Sequence, residues 1–277
     1  MKFIFIADWF AEHILGGGEL NNEEVISVLK KKHQVEKIQS QHVSNHYIRN
    51  NKDKKFIVSN FINLNKHCKN EIMKLDYVIY EHDHKYLINR NPAEYKNFIA
   101  PKDQIINYDF YKNAKAVLCQ SQFHCDIVKS NLGLSNIINL SGNLWSLDSL
   151  NVMKILSQKP KRDSYAVMNS ATPHKNTREA KQYCEVKNKP YELISSNNYY
   201  EFLSLLGSNN GFVFMPKTPE TLSRVIVEAR MMGLSVITNK RVGATKEPWY
   251  SLKGLELIKE VENMRIRIPN TIMEIFK

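Results

Sequence analysis

Short apolar runs alternate with stretches of helical periodicity along most of the chain. The pattern is clearest between Gly211 and Trp249, where the apolar runs GFVFMP and LSVIT flank a stretch of mixed polarity. The apolar positions of that stretch have the spacing of one helix face: Leu222, Val225, Ile226, Ala229 and Met232. Gly233 follows, where a helix commonly ends. This segment is therefore predicted to form a strand, a helix and a second strand.

The first half of the chain has the same alternation. Strands are predicted at KFIFIA, near Gln34–Ile38 and Lys55–Val58, and at LDYVIYEH, AKAVLCQS and NIINLSG. Helices are predicted from Asn21 to Lys32 and over SQFHCDIVKSNLG, which closes with a glycine stop. The region from Gln34 to Lys74 is otherwise polar and ambiguous.

A second series of alternating strands and helices follows a segment rich in Lys, Ser and Gln. Positions 151–164 include Pro160 and have the composition of a linker. SYAVMN and YELISS then read as strands, and NTREAKQYCEVK and YYEFLSLLGS as helices, ahead of the segment that starts at Gly211. The tail alternates Leu, Ile and charged residues and is predicted to be helical around Pro269.

Strands that alternate with helices of about ten residues indicate parallel sheets with helices on both faces. Two such series predict an α/β protein with two Rossmann-like domains facing a cleft. The predicted domains are 1–150 and 165–250, joined by a linker over 151–164 and followed by a helical tail over 251–277. Ligands in such sheets bind at the carboxyl ends of strands. Loops with polar or glycine-rich sequence follow the predicted strands there: Gly16–Glu19, Glu81–Lys85, Asn169–Asn176, Ser195–Tyr200 and Lys217–Thr221.

The net charge indicates which kind of partner to expect, and the cysteine spacing indicates the cellular compartment. The formal net charge of +11 predicts an anionic partner, although a lysine-rich surface without a partner would give the same value. No apolar run approaches the ~20 residues of a membrane span, and MKFIFIAD predicts a first strand and no signal peptide. The four cysteines form no C-x-x-C pair, so free thiols in a reducing cytoplasm are expected.

Gly16, Gly17 and Gly18 lie between the first strand and a helix. Glycines let the backbone approach a phosphate, and free N–H groups with the helix dipole favour the anion. The run is not a G-x-G-x-x-G fingerprint, and Glu19 is not the lysine of a P-loop. A flexible turn would explain the same three glycines.

Glu81, His82, Asp83 and His84 follow a strong predicted strand. Strand alternation would place the two histidines on one side and the two carboxylates on the other. A metal site is disfavoured, because no third ligand has a recognisable spacing. Ordinary surface polarity and a cleft-facing cluster that binds hydroxyls or moves a proton both fit.

Lys175, Glu220 and Glu228 complete the candidate residues. Lys175 precedes a predicted helix, where it would either meet a diphosphate as a point charge or be solvated. Glu220 and Glu228 bracket the helix of the Gly211 segment, and an eight-residue separation is about 12 Å along a helix axis. That is the scale of a nucleotide diphosphate. Glu228 lies among apolar neighbours and needs a partner, either two ribose hydroxyls or Arg224 at i−4.

In combination these segments resemble the retaining GT-B glycosyltransferases of glycosyltransferase family 4. PETLSRVIVEARMMGLSVIT resembles the E-x7-E segment of that family, and GGGEL resembles its amino-terminal Gly-Gly loop. YVIYEHDH is similar to the strand that delivers a histidine to the cleft, and HKN to the lysine motif opening the carboxyl-terminal domain. AKAVLCQSQFHCDIV resembles the segment that ends the amino-terminal domain. The similarity covers most of the chain in the same order.

The resemblance implies a role for each matching position. Glu228 would hold the nucleotide ribose, Glu220 the donor-sugar hydroxyls, and Lys175 the diphosphate as it leaves. The implied catalytic residues are His82, Lys175 and Glu220. The implied donor-binding residues are Gly16, Gly17, Gly18, Lys175, Glu220, Thr221, Leu222 and Glu228. No bound metal and no cofactor are implied, and the donor is expected to be a UDP- or GDP-linked sugar.

The sequence also departs from the family pattern. The family usually has an arginine five or six residues before the lysine, and Asn169 and Ser170 stand at those places. Four other basic residues could replace it: His174, Arg178, Lys217 and Arg224. The second domain lacks a strand–helix unit between YELISS and GFVFMP, so a reduced version of the fold is expected.

These patterns predict a retaining hexosyltransferase acting on an acceptor hydroxyl in a glycan, a lipid-linked sugar or a modified nucleic acid. Two other classes stay open: a nicotinamide-dependent oxidoreductase and a non-catalytic protein that binds nucleic acid through charge. The absent G-x-G-x-x-G speaks against the first. The expected location is the cytoplasm, where Lys30–Lys32 and Lys52–Lys55 could contact DNA or an anionic inner-membrane surface.

Overall fold

The computed structural model describes residues 1–277, which form two compact units. The first unit comprises Met1–Leu144 together with Arg265–Lys277, and the second comprises Trp145–Met264. Each unit has a parallel β-sheet with connecting helices, which is the α/β class that the alternating pattern predicts.

The first unit contains a six-stranded sheet. Its strands are β1 (Lys2–Ala7), β2 (Gln34–Gln39), β3 (Lys55–Val58), β4 (Tyr77–Tyr80), β5 (Val117–Cys119) and β6 (Ile137–Asn139). They lie in the order β2-β1-β3-β4-β5-β6, and every neighbouring pair is parallel. The central strands are continuous apolar runs because both of their faces are buried, whereas QVEKIQ in β2 is polar because β2 is an edge strand.

Five helices connect these strands. They are α1 (Gly17–Lys30), α2 (Asn45–Asn50), α3 (Lys66–Ile72), α4 (Tyr108–Lys112) and α5 (Gln122–Leu132). The Ser121 side chain caps α5 by accepting from the His124 N–H, and Gly133 ends it in a left-handed conformation. Helix α1 begins four residues before the predicted Asn21, because Gly16 takes the cap position and Gly17 and Gly18 form the first turn.

The second unit contains a four-stranded parallel sheet. Its strands are β7 (Arg162–Met168), β8 (Tyr191–Ile194), β9 (Asn209–Phe214) and β10 (Ser235–Thr238), in the order β10-β9-β7-β8. The helices are α6 (Leu147–Ser157), α7 (Thr177–Val186), α8 (Tyr199–Gly207), α9 (Arg224–Met231) and α10 (Leu255–Ile275), the last of which extends into the first unit. In each sheet the strand order reverses once, between β1 and β3 and between β7 and β9. Ligands are expected outside the carboxyl ends of these strand pairs.

The linker predicted over 151–164 does not form. Helix α6 runs to Ser157 and β7 starts at Arg162. Leu150, Met153 and Leu156 are buried on one face of α6, whereas Gln158, Lys159 and Lys161 lie between α6 and β7. The division between the units falls instead between Leu144 and Trp145.

The tail is one helix with Pro269 inside it, and its last turns belong to the first unit. Arg265 forms an ion pair of 2.7 Å with Glu24, and Arg267 donates to the Leu140 carbonyl at 2.7 Å. The predicted separate tail over 251–277 is thus divided between the two units. No helix of the chain combines the length and the apolar character that crossing a membrane requires.

Candidate active site

The predicted site residues divide between the two units. Gly16, Gly17, Gly18 and His82 follow β1 and β4 in the first unit. In the second unit, the residues follow β7 or β9 or lie on α9: Lys175, Glu220, Thr221, Leu222 and Glu228.

Two of the glycines in the first unit lie next to polar side chains. A Cβ atom on Gly16 would lie 2.1 Å from Oε2 of Glu19, whose carboxylate folds back over the start of α1. Oε1 of Glu19 accepts from Asn60 at 3.2 Å, and burial raises the pKa of Glu19. A Cβ atom on Gly18 would lie 3.4 Å from the His82 ring. Close packing against Glu19 therefore bears on Gly16 alone, because the distance at Gly18 is that of an ordinary van der Waals contact.

Both ring nitrogens of His82 have protein partners. Nε2 lies 2.6 Å from the Asn22 Oδ1 atom, and the Gln120 side-chain amide donates to Nδ1. Because Asn22 Oδ1 can only accept and the Gln120 side-chain nitrogen can only donate, these partners suit the tautomer that carries its hydrogen on Nε2. The implied catalytic role of His82 stays a prediction.

The residues next to His82 are not arranged as the strand pattern predicts. Strand β4 ends at Tyr80, so strand alternation does not extend to the cluster. His84 is buried, lies 3.0 Å from the Tyr86 hydroxyl, and has a pKa that burial lowers to about 4. No group of three or more His, Cys, Asp or Glu side chains in the structure is arranged to hold a metal ion.

Glu81 and Lys85 are buried and form a charge network with the partly exposed Asp83. The Lys85 side chain is 2% exposed and its ammonium group lies 2.7 Å from Glu81 and 2.5 Å from Asp83. Tyr111 donates to the second oxygen of Glu81. Although burial opposes it, the charges of Asp83 and Glu81 raise the pKa of Lys85. This network fixes the turn after β4.

A cavity that the sequence did not predict lies at the carboxyl ends of β1 and β3. Its volume is 370 Å³, and it is lined by Asp8, Trp9, Glu19, Asn60, Ile62, Asn63, Asp83 and Arg90. Asp8 directly follows β1 and Asn60 lies two residues beyond β3, at the reversal of the strand order. Polar residues at that reversal are the signal that would have found this cavity.

In the second unit, Lys175 and Glu220 form an ion pair. The Lys175 ammonium group lies 2.7 Å from Glu220 Oε1, and both side chains remain partly exposed. The loop after β7 is held against the end of β9, because Asn176 donates to the Met215 carbonyl and the Lys217 N–H donates to the His174 carbonyl. The structure thus brings together two residues that are 45 positions apart in the chain.

Glu220 does not lie at a helix entrance as predicted. Its N–H donates to the Arg241 carbonyl at 2.8 Å, and its carbonyl accepts from Gly243 at 2.9 Å. This bridge keeps the backbone extended, and α9 begins only at Arg224. The 12 Å separation expected from helical rise therefore does not apply to Glu220 and Glu228.

Ser223 forms the cap of α9 in an unusual conformation. Its φ is +74°, its exposed fraction is 6%, and its buried hydroxyl has no hydrogen-bond partner. Leu222 before it is fully buried, and its carbonyl accepts from the Ala244 N–H. The first N–H groups of a helix have no partner within the helix. The start of α9 therefore combines an orphaned hydroxyl with N–H groups that favour an anion.

Glu228 is 3% exposed, and two side chains donate to the same oxygen of its carboxylate. Oε1 accepts from the Trp145 indole at 2.8 Å and from the Tyr199 hydroxyl at 2.7 Å. Arg224 lies 3.7 Å from the same oxygen, so the i−4 ion pair exists beside two stronger contacts. Burial, followed by the charge of Glu228, raises the pKa of Tyr199.

The sequence missed both hydrogen-bond donors to Glu228. Tyr199 lies in the predicted ligand loop Ser195–Tyr200, and that loop was the signal for it. Trp145 stands in SGNLWS, where no pattern marked it. The guanidinium carbon of Arg224 lies 4.3 Å from the centre of the Trp145 ring, so these two neighbours of the carboxylate also contact each other.

No protein-family model and no curated protein matches the chain. Solved structures do resemble it. The catalytic domain of Arabidopsis thaliana starch synthase IV, bound to ADP and acarbose, matches with a TM-score of 0.60 at 9% identity, covering 99% of this chain and 98% of that chain. Anabaena Alr3699/HepE, in complex with UDP and glucose, matches with a TM-score of 0.56 at 13% identity, covering 98% and 90%.

An alpha-glucosyltransferase in complex with UDP and a 13-mer DNA containing an HMU base matches with a TM-score of 0.55 at 10% identity, covering 98% of this chain and 94% of that chain. At such identities the likeness shows the fold. The chain has the GT-B glycosyltransferase fold with two Rossmann-like units, as the sequence predicts.

Proposed function

We propose that the protein is a glycosyltransferase that moves a sugar from a nucleotide diphosphate to an acceptor hydroxyl with retention of anomeric configuration. The observation that carries the proposal is the arrangement around α9. Glu220 and Lys175 form an ion pair, Ser223 caps the helix with an orphaned hydroxyl, and Glu228 is held by two hydrogen-bond donors. The likeness to nucleotide-bound glycosyltransferase structures supports it.

Glu228 would bind the ribose of the donor. Trp145 and Tyr199 both donate to Oε1 and thereby fix the orientation of the carboxylate. The lone pairs of Oε2 would then accept hydrogen bonds from the ribose hydroxyls. A buried carboxylate that gains such donors is better satisfied than one without them.

The donor diphosphate would bind between Lys175 and the start of α9. Its negative charge would replace Glu220 as the partner of Lys175, and the Ser223 hydroxyl and the N–H groups in the first turn of α9 would donate to it. Release from Lys175 would leave the Glu220 carboxylate to accept hydrogen bonds from the donor sugar. Lys217 is the strongest replacement for the absent arginine, because its N–H is bonded to the His174 carbonyl in the lysine loop.

In the reaction, the bond between the anomeric carbon and the diphosphate oxygen breaks, and the acceptor oxygen forms a bond on the same face. The leaving phosphate takes the acceptor proton, so no protein nucleophile is needed. Lys175 and the dipole of α9 stabilise the charge that develops on the diphosphate. These two groups replace the charge that a metal ion would supply, so we propose that no bound metal is required. The roles of Gly16, Gly17, Gly18 and His82 toward the donor stay predictions.

The proposal is tested with UDP-, GDP- and ADP-linked hexoses. Binding is measured by calorimetry, and release of nucleotide and sugar is followed by NMR. We expect one nucleotide family to bind and its sugar to be hydrolysed slowly without an acceptor. Absence of both binding and hydrolysis across the panel would contradict the proposal.

A further inference from the structure

The cavity of the first unit has the size and position of a small-molecule site. Its 370 Å³ lies at the lower end of the ~300–1,000 Å³ that small-molecule pockets span. It opens at the carboxyl ends of β1 and β3, where the strand order of the six-stranded sheet reverses. None of the donor-binding roles proposed above for the second unit uses this cavity.

The charge of the cavity is opposite to the charge of the whole chain. Three carboxylates line it, on Asp8, Glu19 and Asp83, against the single guanidinium of Arg90. Arg90 is itself paired with Asp83 at 3.2 Å. A phosphate, a nucleic-acid backbone or an anionic lipid headgroup would be repelled here, although the chain carries a net charge of +11.

The carboxylates do not converge as metal ligands would. Asp8 accepts from the backbone N–H groups of Ile62 and Asn63 at 2.9 and 3.0 Å, so it orders the loop after β3. Lys85 neutralises Asp83. Glu19 and Asn60, joined at 3.2 Å, are the carboxylate and amide that remain to bind a ligand.

Apolar surface lies beside these polar groups. Trp9 and Ile62 line the same cavity, and they are 40% and 52% exposed. A pyranose ring has an apolar face of C–H groups and an edge of hydroxyls that both donate and accept. An indole with an adjacent carboxylate and amide matches both parts of such a ring.

We propose that this cavity binds an uncharged sugar through Trp9, Glu19 and Asn60, and that this sugar is the glycosyl acceptor. The acceptor role rests on the proposed transferase function, whereas binding of the sugar does not. Among the acceptors that the sequence left open, this selects a neutral glycan over a nucleic acid.

The test is saturation-transfer difference NMR without any donor. The probes are the methyl α-glycosides of glucose, galactose, mannose and N-acetylglucosamine, with glucuronic acid and a single-stranded 13-mer DNA as anionic probes. The pocket variants are Trp9→Ala and Glu19→Gln. The matched controls are Ile14→Ala, an exposed apolar residue in the loop of Trp9, and Glu23→Gln, on the same helix as Glu19 but outside the cavity.

We expect at least one neutral glycoside to give a signal that falls at least fivefold in both pocket variants and persists in both controls. Thermal unfolding of each variant verifies that it is folded. No signal from any neutral glycoside, a signal only from the anionic probes, or equal signals in pocket and control variants would overturn the inference.

Binding of UDP, GDP and ADP to the same wild-type sample is measured by calorimetry. This measurement separates a failure of the sugar site from a failure of the proposed function. Nucleotide binding without glycoside binding would overturn the sugar site alone. Glycoside binding without nucleotide binding would leave the sugar site standing and contradict the transferase and the acceptor role.

Discussion

At the scale of single residues, the same chemical group serves different purposes according to its partners. Glu81 is buried with Lys85 and Tyr111 and holds a turn, whereas Glu228 is buried with Trp145 and Tyr199, which both donate to its Oε1. Both are glutamates next to apolar residues in the sequence. Only the three-dimensional partners distinguish a structural carboxylate from a candidate ligand-binding one.

Replacing Lys85 with Met would leave the Glu81 carboxylate buried without its cation. Breaking a buried ion pair from one side costs about 3–5 kcal/mol. We therefore expect Lys85→Met to lower the free energy of unfolding by an amount of that order, measured in urea. The control is Lys74→Met, which removes an exposed pair with Glu71 and should change stability by less than about 1 kcal/mol. Equal losses in the two variants would show that the buried network does not stabilise the fold.

Glu19 gives a pH-dependent prediction. Burial raises its pKa above that of the unfolded chain, so its protonated form favours the folded state. That contribution is complete below the usual Glu range and is lost as the pH rises through the raised pKa. Glu19→Gln keeps an uncharged side chain at every pH, so its melting temperature relative to wild type should be highest at pH 8 and decline toward pH 4. A difference that is independent of pH would contradict the burial of a charged Glu19.

Lys217 tests what replaces the absent arginine. A hydrogen bond to a charged group contributes about 1.5–3 kcal/mol, so Lys217→Met should weaken nucleotide diphosphate binding by roughly tenfold or more. The matched control is Arg178→Met on α7, which removes a second exposed cation near Lys175 in sequence. If Arg178→Met has the larger effect in calorimetry, Arg178 is the replacement.

At the scale of elements, the sequence predicted correctly the strands that are buried on both faces. Strands β1 and β3 match the predicted positions because their apolar runs are uninterrupted. The end of helix α6 was mistaken for a linker because it runs directly into a short segment with Gln158, Lys159, Pro160 and Lys161 ahead of β7. Glu220 was placed on a helix because the E-x7-E spacing fits helical periodicity, but a bridge to Val242, far along the chain, keeps that backbone extended.

In the candidate site, too, residues with a local sequence signal could be predicted, and residues that depend on distant contacts could not. Lys175, Glu220 and Glu228 could be selected from local context, and all three lie in the second unit, where Lys175 and Glu220 form an ion pair. Trp145, Tyr199 and the cavity at Asp8 depend on contacts between distant segments. No local pattern encodes such contacts.

Ser223 tests the cap of α9. A non-glycine residue held in a sparsely populated backbone conformation stores about 1–3 kcal/mol, so Ser223→Gly should raise the free energy of unfolding measured in urea. Ser223→Ala removes the unpaired hydroxyl but keeps Cβ, so it should be less stable than the Gly variant. Both should bind nucleotide diphosphate more weakly, because each lacks the hydroxyl donor. Unchanged nucleotide affinity in both would exclude Ser223 as a phosphate ligand.

At the scale of the whole molecule, some lysines are paired with carboxylates. Fewer of them can therefore bind an anionic partner than the net charge suggests. Lys54 and Lys55 in the predicted basic segment Lys52–Lys55 form ion pairs with Glu36 and Asp76. Lys30–Lys32 and Lys52 remain exposed. We expect non-specific binding of a 13-mer DNA, followed by fluorescence anisotropy, to disappear at physiological salt, because few phosphates would be neutralised. Tight binding that persists there would favour a nucleic-acid partner.

The claim that the second unit holds a nucleotide-sugar donor is tested most directly by titrating UDP, GDP and ADP into wild type and Glu228→Gln. Glutamine keeps the acceptor for Trp145 and Tyr199 but removes the charge that would bind the ribose hydroxyls. The account predicts that one nucleotide binds wild type and that Glu228→Gln binds it at least tenfold more weakly, a loss of about 1.4 kcal/mol, with an unchanged circular dichroism spectrum. Equal affinity in the two proteins, or no binding by wild type, would contradict it.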